Sequence, residues 1–411
     1  MRKVVVTGTG VVSPFGAGIN TLVASLAEGK SSVISMAAEW QKKIPGINCL
    51  IGAPLKEELP AKEISRQYRK SMGQIAIMAF FAVREAIEQA GISASDLESG
   101  YTGIAFSSSM GSVRSLETFF KEYLDGNLKN IPSGSFFQVM SHTCAANIAH
   151  AWNVKGRVFS PDAACTSSTQ SIGMAYETIK HGIQNIMICG GADELDAVVC
   201  GSFDLLNATS YQFNDTPTLS PRPFDHKRDG TVCGEGAGCL ILESEESALK
   251  RKAPILAEVV GFSTISDGTH LAQPNTESIQ RCIETALSIS GINPDEIDYI
   301  NAHATGTQLG DAAESHAIKN VFGSRAVPVS SLKGNLGHTL GASGALETAA
   351  SIQMMQNGEL FPNLNLEKPG DDCADIYYLK NIEKKKVRIF MKNSFAFGGI
   401  NSVLLLKRYG N

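Results

Sequence analysis

Three segments of the chain carry side chains that could do chemistry. Asp162-Ala-Ala-Cys165-Thr-Ser-Ser-Thr sets a cysteine behind small residues, at the start of a helix predicted from Cys165 to about His181. A sulfur placed there lies in the field of the helix N-terminus, which favours the thiolate. Free N–H groups of the same turn can stabilise an oxyanion. Ile300-Asn-Ala-His303-Ala-Thr305 puts an imidazole directly after an apolar strand, and strand ends are where α/β proteins build sites. Ser331-Leu-Lys333-Gly-Asn-Leu-Gly337-His338 adds a lysine and a second imidazole in a strand–loop–helix segment. Its glycines allow close backbone approach to a ligand or to another segment. Farther on, the paired glycines of Asn393-Ser-Phe395-Ala-Phe397-Gly398-Gly399-Ile400-Asn401 suit a hinge or an oxyanion hole.

Cys165, His303 and His338 stand 138 and 35 residues apart, each at a strand-to-loop or loop-to-helix junction. One thiol with two imidazoles reads as a nucleophile plus two hydrogen-bond partners. The set lacks the short-range ligand pairs of a zinc site, and no metal is expected. Taken singly, each residue also has a structural reading: a buried small thiol, a satisfied histidine, an exposed lysine in a turn. Other motifs are weaker. Gly8-Thr9-Gly10 follows a strand but lacks the third glycine of a dinucleotide fingerprint, so it reads as a tight strand-to-loop turn. Gly341-Ala-Ser343-Gly344-Ala345 misses the nucleophile-elbow pattern by one glycine.

The elements that must position these residues alternate between β-branched runs and helical stretches. Strands are expected at 3–7, 103–107, 185–190 and 236–243, then at 254–261, 297–301, 327–331, 387–394 and 401–407. Helices are expected at 74–89, 165–181, 276–290 and 341–356, closed by Gly91, Gly182, Gly291 and Gly358. The pattern is that of an α/β protein with largely buried sheets. A weak duplication places small residues at a helix start in both Ala164-Cys165-Thr-Ser-Ser and Gly341-Ala-Ser-Gly-Ala, so the chain divides near residues 251–253 into units 1–252 and 253–411. The stretch 207–230, rich in Asn, Thr, Ser and Pro, is a long loop of the kind that usually has a function.

Composition narrows the class. At 411 residues the chain has room for roughly two to four compact units. With 43% hydrophobic and 19% charged residues it is globular rather than disordered. Lys and Arg number 36 against 41 Asp and Glu, so no basic excess points to nucleic acid or to a membrane surface. Nine scattered cysteines without a CxxC pair read as reduced thiols. The longest apolar run, 75–83, is far short of the ~20 residues of a membrane span. A cytoplasmic enzyme of small molecules is expected.

The chemical segments together resemble the β-ketoacyl-acyl carrier protein synthases of the thiolase-like superfamily, with synthase II the nearest pattern. The likeness runs from Val4-Val-Val-Thr-Gly through Cys189-Gly-Gly-Ala-Asp-Glu, Ser220-Pro-Arg-Pro-Phe-Asp225 and Gly234-Glu-Gly-Ala-Gly to Asn401. It implies a five-layered αβαβα fold of two similar halves and a Cys-His-His site. Cys165 would take the acyl chain, while His303 and His338 would hold the malonyl thioester carbonyl as CO2 leaves. The N–H groups of Cys165 and Phe397 would form the oxyanion hole. Lys333 would support the histidines, Glu347 would be its acidic partner, and Asp311 falls among the supporting residues. Phe397 matches a gating phenylalanine, with Phe395 and Ile400 beside it, and Met110 matches a pocket-floor residue.

The resemblance implies no cofactor, since substrates ride on the phosphopantetheine of acyl carrier protein. Arg66, Arg69 and Lys70, spaced for one helix face, match the carrier-docking region. A homodimer is implied, with residues 136–140 near the partner's acyl pocket; a heterodimer with a chain-length-factor-like paralogue is the alternative. Such paralogues replace the nucleophile, and Cys165 is retained. His338 separates the chain from the synthase III branch, where that position is Asn. The lack of a cysteine in 395–399 separates it from degradative thiolases. Ala304, Gly306, Ala396 and Ile400 depart from the usual pattern, which points toward a specialised polyketide or polyene pathway beside bulk fatty acid synthesis.

Overall fold

The structure, a computed structural model, describes residues 1–410. Ten strands form one continuous sheet path: β1 (Val4–Ser13), β2 (Thr102–Ser107), β3 (Val158–Phe159), β4 (Ile186–Asp193), β5 (Gly236–Ser244), β6 (Ala257–Ser266), β7 (Tyr299–Asn301), β8 (Val329–Ser330), β9 (Ile389–Ala396) and β10 (Ile400–Lys407). The first five lie in the order β1-β5-β4-β2-β3 and the last five in the order β6-β10-β9-β7-β8, the same arrangement twice. Pairing directions repeat as well. β5 is antiparallel to β1 and β4, as β10 is to β6 and β9. β2 is parallel to β4 and β3, as β7 is to β9 and β8. The two sets join where Val4–Val6 run antiparallel to Ala257–Val259.

Six helices complete the layers: α1 (Gln74–Ala90), α2 (Thr143–Trp152), α3 (Ser167–Lys180), α4 (Thr276–Ser290), α5 (Gln308–Phe322) and α6 (Ser343–Asn357). α1 and α2 cover the outer face of the first sheet, α4 and α5 that of the second, and α3 with α6 lies between. The strand side chains explain why. Successive residues point to opposite faces, and here both faces are apolar. Leu240 and Leu242 of β5 enter the central core with Ile172, Tyr176, Leu346, Leu404 and Leu406. Their neighbour Ile241 enters the outer core under α1. On the other side, Val403 and Leu405 face α4 and α5. Three cores on the two halves of this sheet path give five layers, αβαβα, as expected.

The expected helix stops hold. Gly91, Gly291 and Gly358 end α1, α4 and α6 in the left-handed conformation that a Cβ would disfavour. Gly8 and Gly10 do not make the expected turn. β1 continues through both to Ser13, because α1 lies against them: a Cβ on Gly10 would sit 2.0 Å from the Ala82 carbonyl oxygen, and one on Gly8 2.2 Å from that of Ala86. Those glycines set the helix-to-strand distance. Gly10→Ala is therefore expected to destabilise the fold by about 2 kcal/mol or more, within the range for overpacking, read as a lower urea midpoint. The loop expected at 207–230 is a loop, interrupted only by the 3₁₀ turn Pro217–Leu219. Among the described residues no helix is long and apolar enough to cross a membrane. All nine cysteines are free.

Candidate active site

The expected helix from Cys165 starts later than the sequence suggested. Residues Ala164–Thr166 form a 3₁₀ turn, and α3 begins at Ser167. Ala164 has φ +47°, a left-handed conformation that costs a non-glycine residue about 1 kcal/mol or more. The bend aims Cys165 inward, where it is 5% exposed. The backbone N–H groups of Cys165 and Phe397 lie close enough to Sγ to favour its charged form. Burial pushes the thiol up to about 12, against the pull of Lys333 and these N–H groups. Burial thus outweighs the helix terminus, and Cys165 rests as a thiol.

His338 is pinned through its backbone. Its N–H donates to the Val232 carbonyl (2.7 Å), and its carbonyl accepts from the Gly234 N–H (2.9 Å). Nδ1 accepts from the Leu340 N–H at 3.3 Å, so the neutral ring carries its hydrogen on Nε2, which lies 3.0 Å from Cys165 Sγ. His303 follows β7. The Glu314 carboxylate holds it by accepting from the N–H groups of His303 (2.9 Å) and Ala304 (2.8 Å). The two imidazole rings meet edge to face at 5.3 Å. Burial first, then Lys333, holds both well below their ordinary value, with Lys392 adding to the effect. A neutral N–H donor on His338 and a second neutral imidazole, His303, thus flank a thiol. Wild-type turnover is expected to stay nearly flat from pH 7.5 down through 6.5, because neither ring charges in that window. Initial rates against pH read this directly, and an acid limb centred on 6.5 would refute it.

The expected pairing of Lys333 with Glu347 is present, Nζ to Oε1 at 2.7 Å, with both side chains essentially unexposed. Glu347 has a second cation that the sequence reading missed: Lys392 Nζ, on β9, 2.7 Å from Oε2. Glu314 and Asp193 were also missed. Asp193, at the end of β4, accepts from Ser108 Oγ (2.5 Å), Ser109 Oγ (2.8 Å) and the Gly341 N–H (2.6 Å). It ties the turn before α6 to the loop after β2. The only available signal was its place in Cys189-Gly-Gly-Ala-Asp193-Glu, a stretch matched without a role.

A cavity of about 450 Å³ opens from Cys165, His303 and His338, and Phe203, Tyr211, Leu271 and Phe397 help to line it. Phe395 and Phe397 sit on this cavity, and the Phe397 ring lies 5.7 Å from that of Phe203. Ile400 is not in its lining, and Met110 lies at the surface, 38% exposed. Asp311 reaches the cavity but not the triad. It accepts from the N–H groups of Phe224 (2.7 Å) and Gly306 (3.2 Å), holding the 220–230 loop against the loop after His303. Arg66 and Lys70 are exposed on and beside the one-turn helix Arg66–Arg69. Arg69 is half-buried and donates to the Ala61 carbonyl at 3.1 Å.

Two like α/β sets sharing a central helix pair, with the site at the start of those helices, make a thiolase-like enzyme fold. A β-ketoacyl synthase from Burkholderia phymatum STM815 superposes with a TM-score of 0.95 at 40% identity, over 99% of this chain and all of that one. The chain named "the ishigamide ketosynthase/chain length factor" superposes with a TM-score of 0.91 at 31% identity over the full length of both. In sequence, 3-oxoacyl-[acyl-carrier-protein] synthase 1 of Haemophilus influenzae is 34% identical over the whole of both chains. The β-ketoacyl synthase N-terminal domain model matches residues 1–248 and the C-terminal domain model residues 256–367. The chain belongs to the β-ketoacyl synthase family.

Proposed function

We propose that the protein condenses an acyl chain with malonyl-acyl carrier protein, releasing CO2 and leaving a 3-oxoacyl chain two carbons longer on the carrier. The observation that carries this is the convergence of Cys165 Sγ, His338 Nε2 at 3.0 Å, the neighbouring His303 ring and two N–H groups at the mouth of one cavity. In the first step Sγ attacks the acyl thioester. The carbon–sulfur bond to the carrier breaks, and the Cys165 proton leaves on the carrier thiol. The N–H groups of Cys165 and Phe397 meet the oxyanion. In the second step malonyl-carrier protein loses CO2. His303 and His338 donate to the enolate oxygen, where a neutral donor stabilises and a carboxylate would repel. The carbanion attacks the acyl carbon, and Cys165 leaves as a thiolate that takes a proton from solvent water.

The three site atoms lie within 4.8 Å of one another, a spacing that invites a metal reading. The Sγ–Nε2 separation of 3.0 Å favours a hydrogen bond, because tetrahedral zinc with bonds of about 2.3 and 2.0 Å would hold sulfur and nitrogen roughly 3.5 Å apart. We therefore read no metal and no cofactor beyond the carrier's phosphopantetheine. Residues 1–252 supply the nucleophile and 253–411 the two histidines. Arg66 and Lys70 offer the acidic carrier two exposed cations, with Arg69 bracing their helix. The cytoplasm is the expected compartment.

A homodimer is supported by an exposed apolar face on two neighbouring helices, Val113–Leu124 and Ser133–Gln138. There Phe120, Tyr123, Leu124, Phe136 and Phe137, with Leu128 in the turn between the helices, are all more than half exposed. This face would bring Met110 and Phe136 toward a shared acyl pocket. A second reading, a ketosynthase paired with a length-setting paralogue in a polyketide or polyene system, draws on the likeness to the ketosynthase/chain length factor. Intact mass after incubation with a panel of acyl-carrier proteins tests the proposal. An acyl adduct that malonyl-carrier protein then discharges as 3-oxoacyl product is expected, and the best-loaded chain names the substrate. No loading with any acyl group, even beside candidate partner subunits, would end it.

A further inference from the structure

We propose that Lys392 is a positioning residue for this site: with Lys333 it clamps the Glu347 carboxylate, and the clamped pair sets the electrostatics around both imidazoles. The inference rests on reading the site as a condensing centre. Lys392 lies on β9, fully buried. Its Nζ is 2.7 Å from Glu347 Oε2 and donates to the Asn393 carbonyl at 2.6 Å. Burying an ammonium group costs several kcal/mol unless it is paired, and an apolar side chain of that length would fill the space without the cost. A charge kept there acts on its surroundings.

The groups facing it define that action. Glu347 on α6 bridges it to Lys333, which stands five residues before His338. Next to it on β9, the Asn393 side chain donates to Glu314 at 2.9 Å, and Glu314 of α5 holds the backbone of His303. The strand pair Lys392–Asn393 therefore touches the supports of both histidines. Each imidazole sits in the field of Lys333 and Lys392 alike. Burial, with Lys333 adding and Glu347 opposing, pulls Lys392 down to about 8. It thus loses its charge a little above neutrality. The imidazoles should then be easier to protonate when Lys392 is neutral or absent.

Lys392→Met and Lys392→Arg test this by NMR titration of ¹³C-labelled histidine, with the His303 and His338 signals assigned from single substitutions. In Lys392→Met both midpoints are expected to rise by half a pH unit or more, and CO2 release from malonyl-carrier protein to fall at the acid end of its pH profile. Arg, which keeps the charge, restores both. A folded Met variant with unchanged histidine midpoints overturns the proposal, whatever its rate. Should that variant fail to fold, the wild-type protein decides: its histidine signals must shift again near pH 8 as Lys392 deprotonates, and a flat trace there is equally fatal. The titrations need no substrate. A protein that condenses nothing yet passes them would refute the activity and keep the role of Lys392.

Discussion

With Cys165 replaced by alanine, the protein takes up no acyl group and makes no 3-oxoacyl product, but it still releases CO2 from malonyl-carrier protein. The two half-reactions separate because different atoms serve them. Acyl transfer needs Sγ to form a bond, and Cys165 is the one cysteine among the described residues that line the cavity. Removing a nucleophile of this kind costs roughly 10³–10⁶-fold in turnover. Decarboxylation needs only the two N–H donors. Neither is held in place by the sulfur: His338 hangs on the backbone of Val232 and Gly234, and His303 on the Glu314 carboxylate. CO2 release by the variant is expected within about tenfold of wild type, measured from carboxyl-labelled malonyl-carrier protein. An adduct persisting on Cys165→Ala, or loss of both half-reactions together, would contradict this division.

Glu347→Gln is expected to be strongly destabilising for so conservative a change. Glu347 is the anion between Lys333 and Lys392, and all three side chains are at most 1% exposed. Taking away one partner of a buried ion pair costs about 3–5 kcal/mol, because the remaining charges stay desolvated. The pH dependence has a definite sign. Burial pushes the Glu347 carboxyl up, and the two ammonium groups more than offset it, leaving it below the usual carboxylate range. A carboxyl depressed in the folded state contributes stability above its unfolded value of about 4.3 and loses it as pH falls through the folded one. Urea unfolding should therefore show a deficit throughout pH 5 to 7.5, which narrows in stronger acid as the wild-type carboxyl protonates. A deficit under about 1 kcal/mol at pH 7 would mean that the clamp carries no stability.

Much of the fold was legible because its signals are local. An apolar run closed by glycine marks a helix wherever the chain lies, and α1, α4 and α6 end at their glycines. The convergence of Cys165, His303 and His338 was legible only through resemblance, since separations of 138 and 35 residues carry no geometry by themselves. What escaped was long-range. Gly8 and Gly10 read as a turn because the helix that demands them begins more than sixty residues later. Lys392, Glu314 and Asp193 escaped because in one dimension a charged residue looks like surface. Only the folded chain places Lys392 beside Glu347 and Glu314 under His303. Arg69 shows what spacing leaves open: its periodicity gave it an outer face, and in the folded chain its guanidinium also reaches back to the Ala61 carbonyl.

The turn that presents the nucleophile occurs twice. Ala164, at φ +47°, opens the 3₁₀ turn before α3, and Leu340, at φ +52°, opens the matching turn before α6. Gly341 thus occupies in the second unit the place that Cys165 occupies in the first, and there a backbone N–H bound to Asp193 suffices to build the turn. The architecture does not require its own thiol. A descendant that discarded Cys165 would inherit an intact scaffold, free to serve a sister chain as a shaped wall rather than as a catalyst, and division of labour between copies comes at little structural cost.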